Sequence, residues 1–225
     1  MSHLHITDGV LHWGLILLGF LLTFAIIGYV VLSTKKEELF NNVAKLGVMS
    51  ALTLIVMSIP LGPLPFHINL SILTALILGP KLGFISVFLV NLILGVFGHG
   101  GVTVVGVNTL IMGTEIIIGY GVFSLLLNKR VNWNVSLAIA IAIMILASSA
   151  LMVTVVTLGG IPPEIAIHTH DQEAIARYSN FNNTDFAVFV LGIVSIGAII
   201  EVVIGSIVVN YFRKIRPDYL LKGGN

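Results

Sequence analysis

The chain contains no cysteine. That excludes disulfides, thiolate metal sites, iron–sulfur clusters and a cysteine nucleophile, so a metal here must be held by nitrogen or oxygen. Charge is also scarce: 9% of the 225 residues are Asp, Glu, Lys or Arg, against roughly 25% in a soluble domain. The net charge of +1 leaves no basic face to displace counterions from a nucleic acid. No Gly-x-x-x-x-Gly-Lys-Ser/Thr phosphate loop occurs, so active transport would draw on ATP hydrolysed by another subunit. Gly-x-Ser-x-Gly and His-Glu-x-x-His are missing too, and with them the common hydrolase signatures.

What is present is apolar sequence: 57% of residues are hydrophobic and mean hydropathy is +1.07. An all-α polytopic protein of the cell membrane follows, embedded in lipid, with runs long enough to cross about 30 Å of hydrocarbon. Seven transmembrane segments are expected, at 10–32, 44–59, 68–79, 82–97, 102–127, 136–158 and 186–211. The third is short and follows Pro60-Leu-Gly-Pro-Leu-Pro65, so the chain should re-enter, or start its helix inside the protein. Non-helical backbone survives at that depth only where protein buries it or it lines a cavity. Val10–Leu32 has no Lys or Arg before it and exceeds the roughly 7–15-residue core of a signal peptide; it reads as a permanent helix. Residues 1–225 form one membrane domain, with an N-terminal tail (1–12), a proline-rich loop (60–67) and a last loop (159–185) on one face.

Basic residues orient the chain. Lys35, Lys36, Lys45, Lys81, Lys129, Arg130, Arg213, Lys214, Arg216 and Lys222 fall on one side of the seven-segment map, and Arg177 alone on the other. The N terminus is therefore expected outside and the C terminus in the cytoplasm. His3, His5, His12, His67, His99, His168 and His170 then all lie on the outer side. Imidazole suits zinc, copper, iron and nickel, so this face is suited to catching a transition metal.

A free amino terminus adds a donor that side chains cannot supply. In X-His, the terminal amine, the deprotonated amide and the imidazole take three corners of a plane, leaving the fourth for a distant histidine. In X-X-His a second amide closes the plane. Met1-Ser2-His3 is X-X-His if Met1 is retained, and Ser2-His3 is X-His if it is removed; square-planar nitrogen geometry is typical of Ni2+ and Cu2+. The plain alternative is a frayed, solvated tail.

His5-Ile-Thr-Asp-Gly-Val-Leu11 resembles the opening of the CbiM/NikM family, the substrate-specific (S) membrane components of energy-coupling-factor transporters for cobalt and nickel. The similarity continues through Pro60 to Pro80 with His67, through Phe97-Gly-His-Gly-Gly101 and Gly106-Val-Asn-Thr-Leu-Ile-Met-Gly113, and into Ile200-Glu201 and Ile215-Arg-Pro-Asp-Tyr-Leu220. The resemblance implies Co2+ or Ni2+ as transported substrate, no organic cofactor and no catalysis. It also implies a transmembrane coupling (T) subunit, ATP-binding subunits and a small accessory membrane subunit as partners. By motif the metal ligands fall on His5 and His67, with an N-terminal amine. The chain departs from the family pattern in two places. His5 has four residues before it, so the amine belongs to Leu4 after processing or to Ser2 beside His3, or else His3 and His5 act through side chains only. His99 replaces the family's aspartate and is either an added ligand or a group orienting one. The CbiM-like opening points to cobalt, whereas an amine–amide–imidazole plane favours Ni2+.

Other polar groups keep two readings each. Asn108 either bonds a ligand or the N-terminal backbone, or caps a helix. Asp8 anchors the tail or caps the first helix. Glu115 and Glu201 lie in apolar helices, where ionisable groups are costly and usually face the interior; they either are structural, paired with histidines or other polar side chains, or ligate metal. His168 and His170 belong to a metal-gathering loop or an exposed one. Gly47 and Ala51 form a small-x-x-x-small pair that docks a partner helix or packs within the bundle. The competing class, an intramembrane zinc-type metalloenzyme, needs an open coordination position beside a base within the bilayer, whereas these histidines are peripheral.

Overall fold

The computed structural model describes residues 6, 8–59, 68–98, 100–160 and 183–220. Its helices are α1 (Trp13–Ser33), α2 (Lys36–Met57), α3 (Ser71–Val96), α4 (Val105–Asn128), α5 (Trp133–Leu158) and α6 (Asn183–Ile215), followed by a 3₁₀ turn at Pro217–Tyr219. Local chemistry sets several of these ends. Nδ1 of His12 accepts from Gly14 N–H (3.2 Å) and opens α1. Glu37 and Glu38 occupy the first turn of α2, and Asn132 caps α5 by accepting from Asn134 N–H (2.9 Å). The first suits the positive end of a helix dipole, and the second satisfies a donor that the helix leaves unpaired.

Six helices among the described residues are long and apolar enough to cross a membrane, where seven were expected. The difference lies in α3. The expected segments 68–79 and 82–97 correspond to its two halves, which are separate helices parted at Gly79 (φ 72°, ψ 175°), a conformation open essentially to glycine. Pro80 then begins the second half, where its missing N–H costs nothing.

The two halves fold back on each other. Thr53 on α2 hydrogen-bonds Thr74 (3.1 Å), and Ser50, one turn earlier, bonds Ser86 (2.8 Å). In an unbroken helix residues 74 and 86 would stand about 18 Å apart, whereas Ser50 and Thr53 are separated by about 4.5 Å of rise. Gly83 also lies against Ala75, where a Cβ on the glycine would come within 3.9 Å of the Ala75 Cα. Residues 71–78 are thus a half-length inner helix of about 12 Å, too short to cross the bilayer alone.

α4 is the centre of the bundle, packed against α1, α3 and α5, while α6 lies on α5 and α3. Close approach depends on missing side chains. A Cβ on Gly106 would lie 2.6 Å from the Phe20 backbone nitrogen, and one on Gly19 would lie 2.4 Å from Val107. Thr23 adds a hydrogen bond to the Gly106 carbonyl (2.8 Å) at this α1–α4 crossing. Small residues that let backbones meet, with a hydroxyl bonded across, are the usual adhesive between helices in lipid. Outward faces carry Trp13, Leu17, Leu32, Phe40, Ile199 and Ile207, all exposed.

The bundle has two unlike ends. Lys81 reaches Ser33 (3.1 Å), Arg213 stacks on Trp133, Lys45 lies over Tyr219, and Trp133 Nε1 donates to Asn210 (3.1 Å). The N-terminal segment meets residues 101–108 at the opposite end.

Gly106→Ala should lower stability by about 1–3 kcal/mol, because α1 must shift to admit the methyl. Gly121, with nothing within 4 Å of a built Cβ, provides the control: Gly121→Ala should be neutral or slightly stabilising. Thermal unfolding of both variants in detergent distinguishes the two responses.

Candidate metal-capture site

The tail enters the bundle as irregular chain and is tied down at two points. At the first, Ile6 N–H donates to Asn108 Oδ1 (3.1 Å) and Asn108 Nδ2 donates to the Ile6 carbonyl (3.0 Å). One amide side chain thereby satisfies both backbone groups of one residue. Ile6 itself is 5% exposed and packs with Leu11, Val104, Val107 and Met152. Asn108 is on the first turn of α4, and its bonds go to the N-terminal backbone, one of the two roles open to it from the sequence.

The second tie is Asp8. Its carboxylate accepts from Val102 N–H (3.1 Å), Thr103 N–H (2.9 Å) and the Thr103 hydroxyl. Asp8 therefore anchors the tail to the turn before α4, while the cap of α1 falls to His12. Gly101 is the floor of this contact, since a Cβ there would lie 2.1 Å from Asp8 Oδ1. Desolvation pushes the Asp8 carboxyl upward, but the hydrogen bonds from Thr103 and Val102 outweigh it and hold the pKa below its ordinary 3.8.

A second polar group lies deeper. Asn69, Ser71, Glu115, Ser148 and Glu201 are all buried. Asn69 N–H donates to both oxygens of Glu201 (3.2 and 3.1 Å), and its side-chain amide donates to Glu115. The Ser71 hydroxyl reaches Glu115 Oε2 (2.7 Å), and Ser148 reaches Oε1 (2.8 Å). Ser71 N–H returns to Asn69 Oδ1 (2.7 Å), closing an Asx turn at the start of α3. Among the described residues no three His, Cys, Asp or Glu side chains converge as a metal site.

Of the residues selected from the sequence, the structure thus places Asp8, His12, Asn108, Glu115 and Glu201. Gly47 and Ala51 are exposed on α2, with nothing within 4 Å of a Cβ built on Gly47. Ser2, His3, Leu4, His5, His67, His99, His168 and His170 lie outside the described residues. Sequence reasoning missed Asn69, Ser71, Ser148 and Thr103. Only Asn69 carried a local signal, an Asn-x-Ser at the start of an apolar run, the pattern of a turn leading into a helix.

Residues 5–219 match the family described as CbiM, cobalt uptake substrate-specific transmembrane region. The chain belongs to the CbiM family. It is accordingly a multi-pass membrane component of metal uptake and not an enzyme. The crystal structure of a transition metal transporter shares its fold, with TM-score 0.74, 23% identity and coverage of 94% of this chain and 93% of that one. A truncated transition metal transporter is similar to the same degree, with TM-score 0.73, 24% identity and coverage of 93% and 98%. A search of curated proteins finds no match.

Two predictions concern the CbiM-type tail. Asn108→Leu removes two buried hydrogen bonds, each of roughly 1 kcal/mol, and leaves the Ile6 backbone unpaired. The tail should become open to amide exchange and proteolysis while the helices persist, which hydrogen exchange resolves by peptide. For Asp8, the depressed folded-state pKa means that its anchoring is complete above the ordinary value of 3.8 and is lost as pH falls through the lower folded value. The Thr103 amide resonance should follow that acid transition, and Asp8→Asn should remove it.

Proposed function

We propose that this chain is the metal-binding S component of an energy-coupling-factor ABC-type importer, capturing Co2+, or Ni2+, on the extracytoplasmic face for ATP-driven uptake. The observation that carries the reading is the clamp of Asn108 on Ile6. It holds Ile6 against the bundle, which supports the histidine next to it in the chain as a donor. Loosely tethered donors would lose affinity to the ordering of the tail; a tail already docked does not.

The ligand set is His5 or His3, with the amine of Leu4 or Ser2 according to processing, and His67 from the proline-rich loop. Metal capture in such a plane releases protons, because amine and amide must both be deprotonated. Asp8 and Asn108 support the tail, and His99 orients a ligand. The gathering of Lys81, Arg213 and Lys45 at the end away from the tail supports an N terminus outside, by the positive-inside rule.

ATP hydrolysis belongs to partner subunits, since the chain has no phosphate loop. The T subunit docks on α2, where Phe40, Gly47 and Ala51 are exposed on one face. A small accessory membrane subunit completes the assembly. A Ni2+-specific role is the second reading, favoured by the intrinsic preference of an amine–amide–imidazole plane for Ni2+.

Intact mass and metal content of the natively produced protein test this together. We expect about one ion per chain, metal binding at least about tenfold weaker in His67→Ala, and loss of binding on N-terminal extension. A chain that retains Met1, while His67→Ala keeps its full metal content, would overturn the amine-plus-loop-histidine site.

A further inference from the structure

Asn69, two residues after the proline-rich loop in the chain, is held by two other helices. Asn69 is fully buried; its N–H is shared between the oxygens of Glu201 on α6, and its side chain bonds Glu115 on α4. Carboxyl groups are costly to bury among apolar helices, and the first N–H of α3 is already satisfied by the Asx turn of Asn69 and Ser71. We propose that Glu115 and Glu201 are positioning residues for metal capture, fixing through Asn69 the place from which the loop presents its histidine.

The inference rests on the reading of His67 as the loop ligand. Two residues of chain join His67 to Asn69 and span at most about 7 Å, so a displacement of Asn69 carries into the donor. α4 supplies the link to the tail. Asn108 and Glu115 are seven residues apart, which places them on one face, two turns and about 10 Å of rise from each other. Asn108 clamps the residue after His5, and Glu115 binds the residue two after His67. A single rigid helix therefore sets the spacing between the two donor segments. Glu201 brings α6 into the same latch, so a tilt of α6 would move the loop relative to the tail.

The test compares Glu201→Gln with Glu201→Leu in the full-length protein with its native N terminus, by equilibrium dialysis against Co2+ and by thermal unfolding. Gln keeps an acceptor for the Asn69 N–H, so its affinity should stay within about threefold of the wild type, whereas Leu should weaken binding about tenfold or more. Rescue by Gln separates positioning from bulk charge. Equal losses in Gln and Leu would overturn the proposal, as would wild-type affinity in Leu. If Glu201→Leu does not fold, Glu115→Leu takes its place: it leaves the Asn69 N–H on Glu201 and the Asx turn of Asn69 and Ser71 in place but cuts the tie from the Asn69 side chain. Weakened Co2+ binding in that variant supports the proposal, and unchanged binding sinks it. His67→Ala, run alongside, distinguishes the two failures. Wild-type binding there would remove the loop-ligand reading and this proposal with it; lost binding there with Glu201→Leu unaffected removes this proposal alone.

Discussion

Backbone that is not helical can sit inside an apolar bundle only where its N–H and C=O groups find partners within the protein. Two irregular segments of this chain meet that condition in the same way, through a polar side chain projecting from a helix. Asn108 pairs with both backbone groups of Ile6, and Glu201 accepts the N–H of Asn69. In water these bonds would compete with solvent and hold little. In a hydrophobic surround the open alternative leaves bare polar groups in hydrocarbon, so the segments stay where the side chains put them. The capture chemistry proposed for the outer end depends on that restraint.

Glycine makes the same geometry possible from the other side. Gly19 and Gly106 bring α1 onto α4 at backbone contact, and Gly101 leaves room for the Asp8 carboxylate. The tail leaves α1 toward the start of α4, so the crossing of these two helices decides where the tail can land. Gly79 does comparable work in α3. Its left-handed backbone reverses the chain, letting Ser50 and Thr53 meet both halves of the hairpin. The inner half-helix then starts just after Asn69, which bonds α4 and α6.

Much of this was legible in the residues, unevenly. Apolar runs marked the helices because hydropathy requires no knowledge of neighbours. The short third segment after Pro60–Pro65 was recognisable as incomplete and as separate from the next; that the two fold back on each other at Gly79 was not, since that shows only in their shared contacts with α2. Asn108 and Asp8 stood out as polar groups beside motifs, yet each kept two roles until the fold showed their partners, 102 and 94 residues distant. Glu115 and Glu201 were visible as costly residues in apolar helices. Their common partner was not, because Asn69 lies 46 residues from one and 132 from the other.

The sequence by itself determined the medium, the helical class, the exclusion of thiol and phosphate-loop chemistry, and a run of motifs resembling one family. These follow from composition and local order, which act through free energies of transfer and short-range geometry. Only the tertiary structure decided that one face of α4 carries the attachments of both Ile6 and Asn69. That depends on how α1, α3 and α6 pack around α4, and such packing arises from close approaches between residues far apart in the chain.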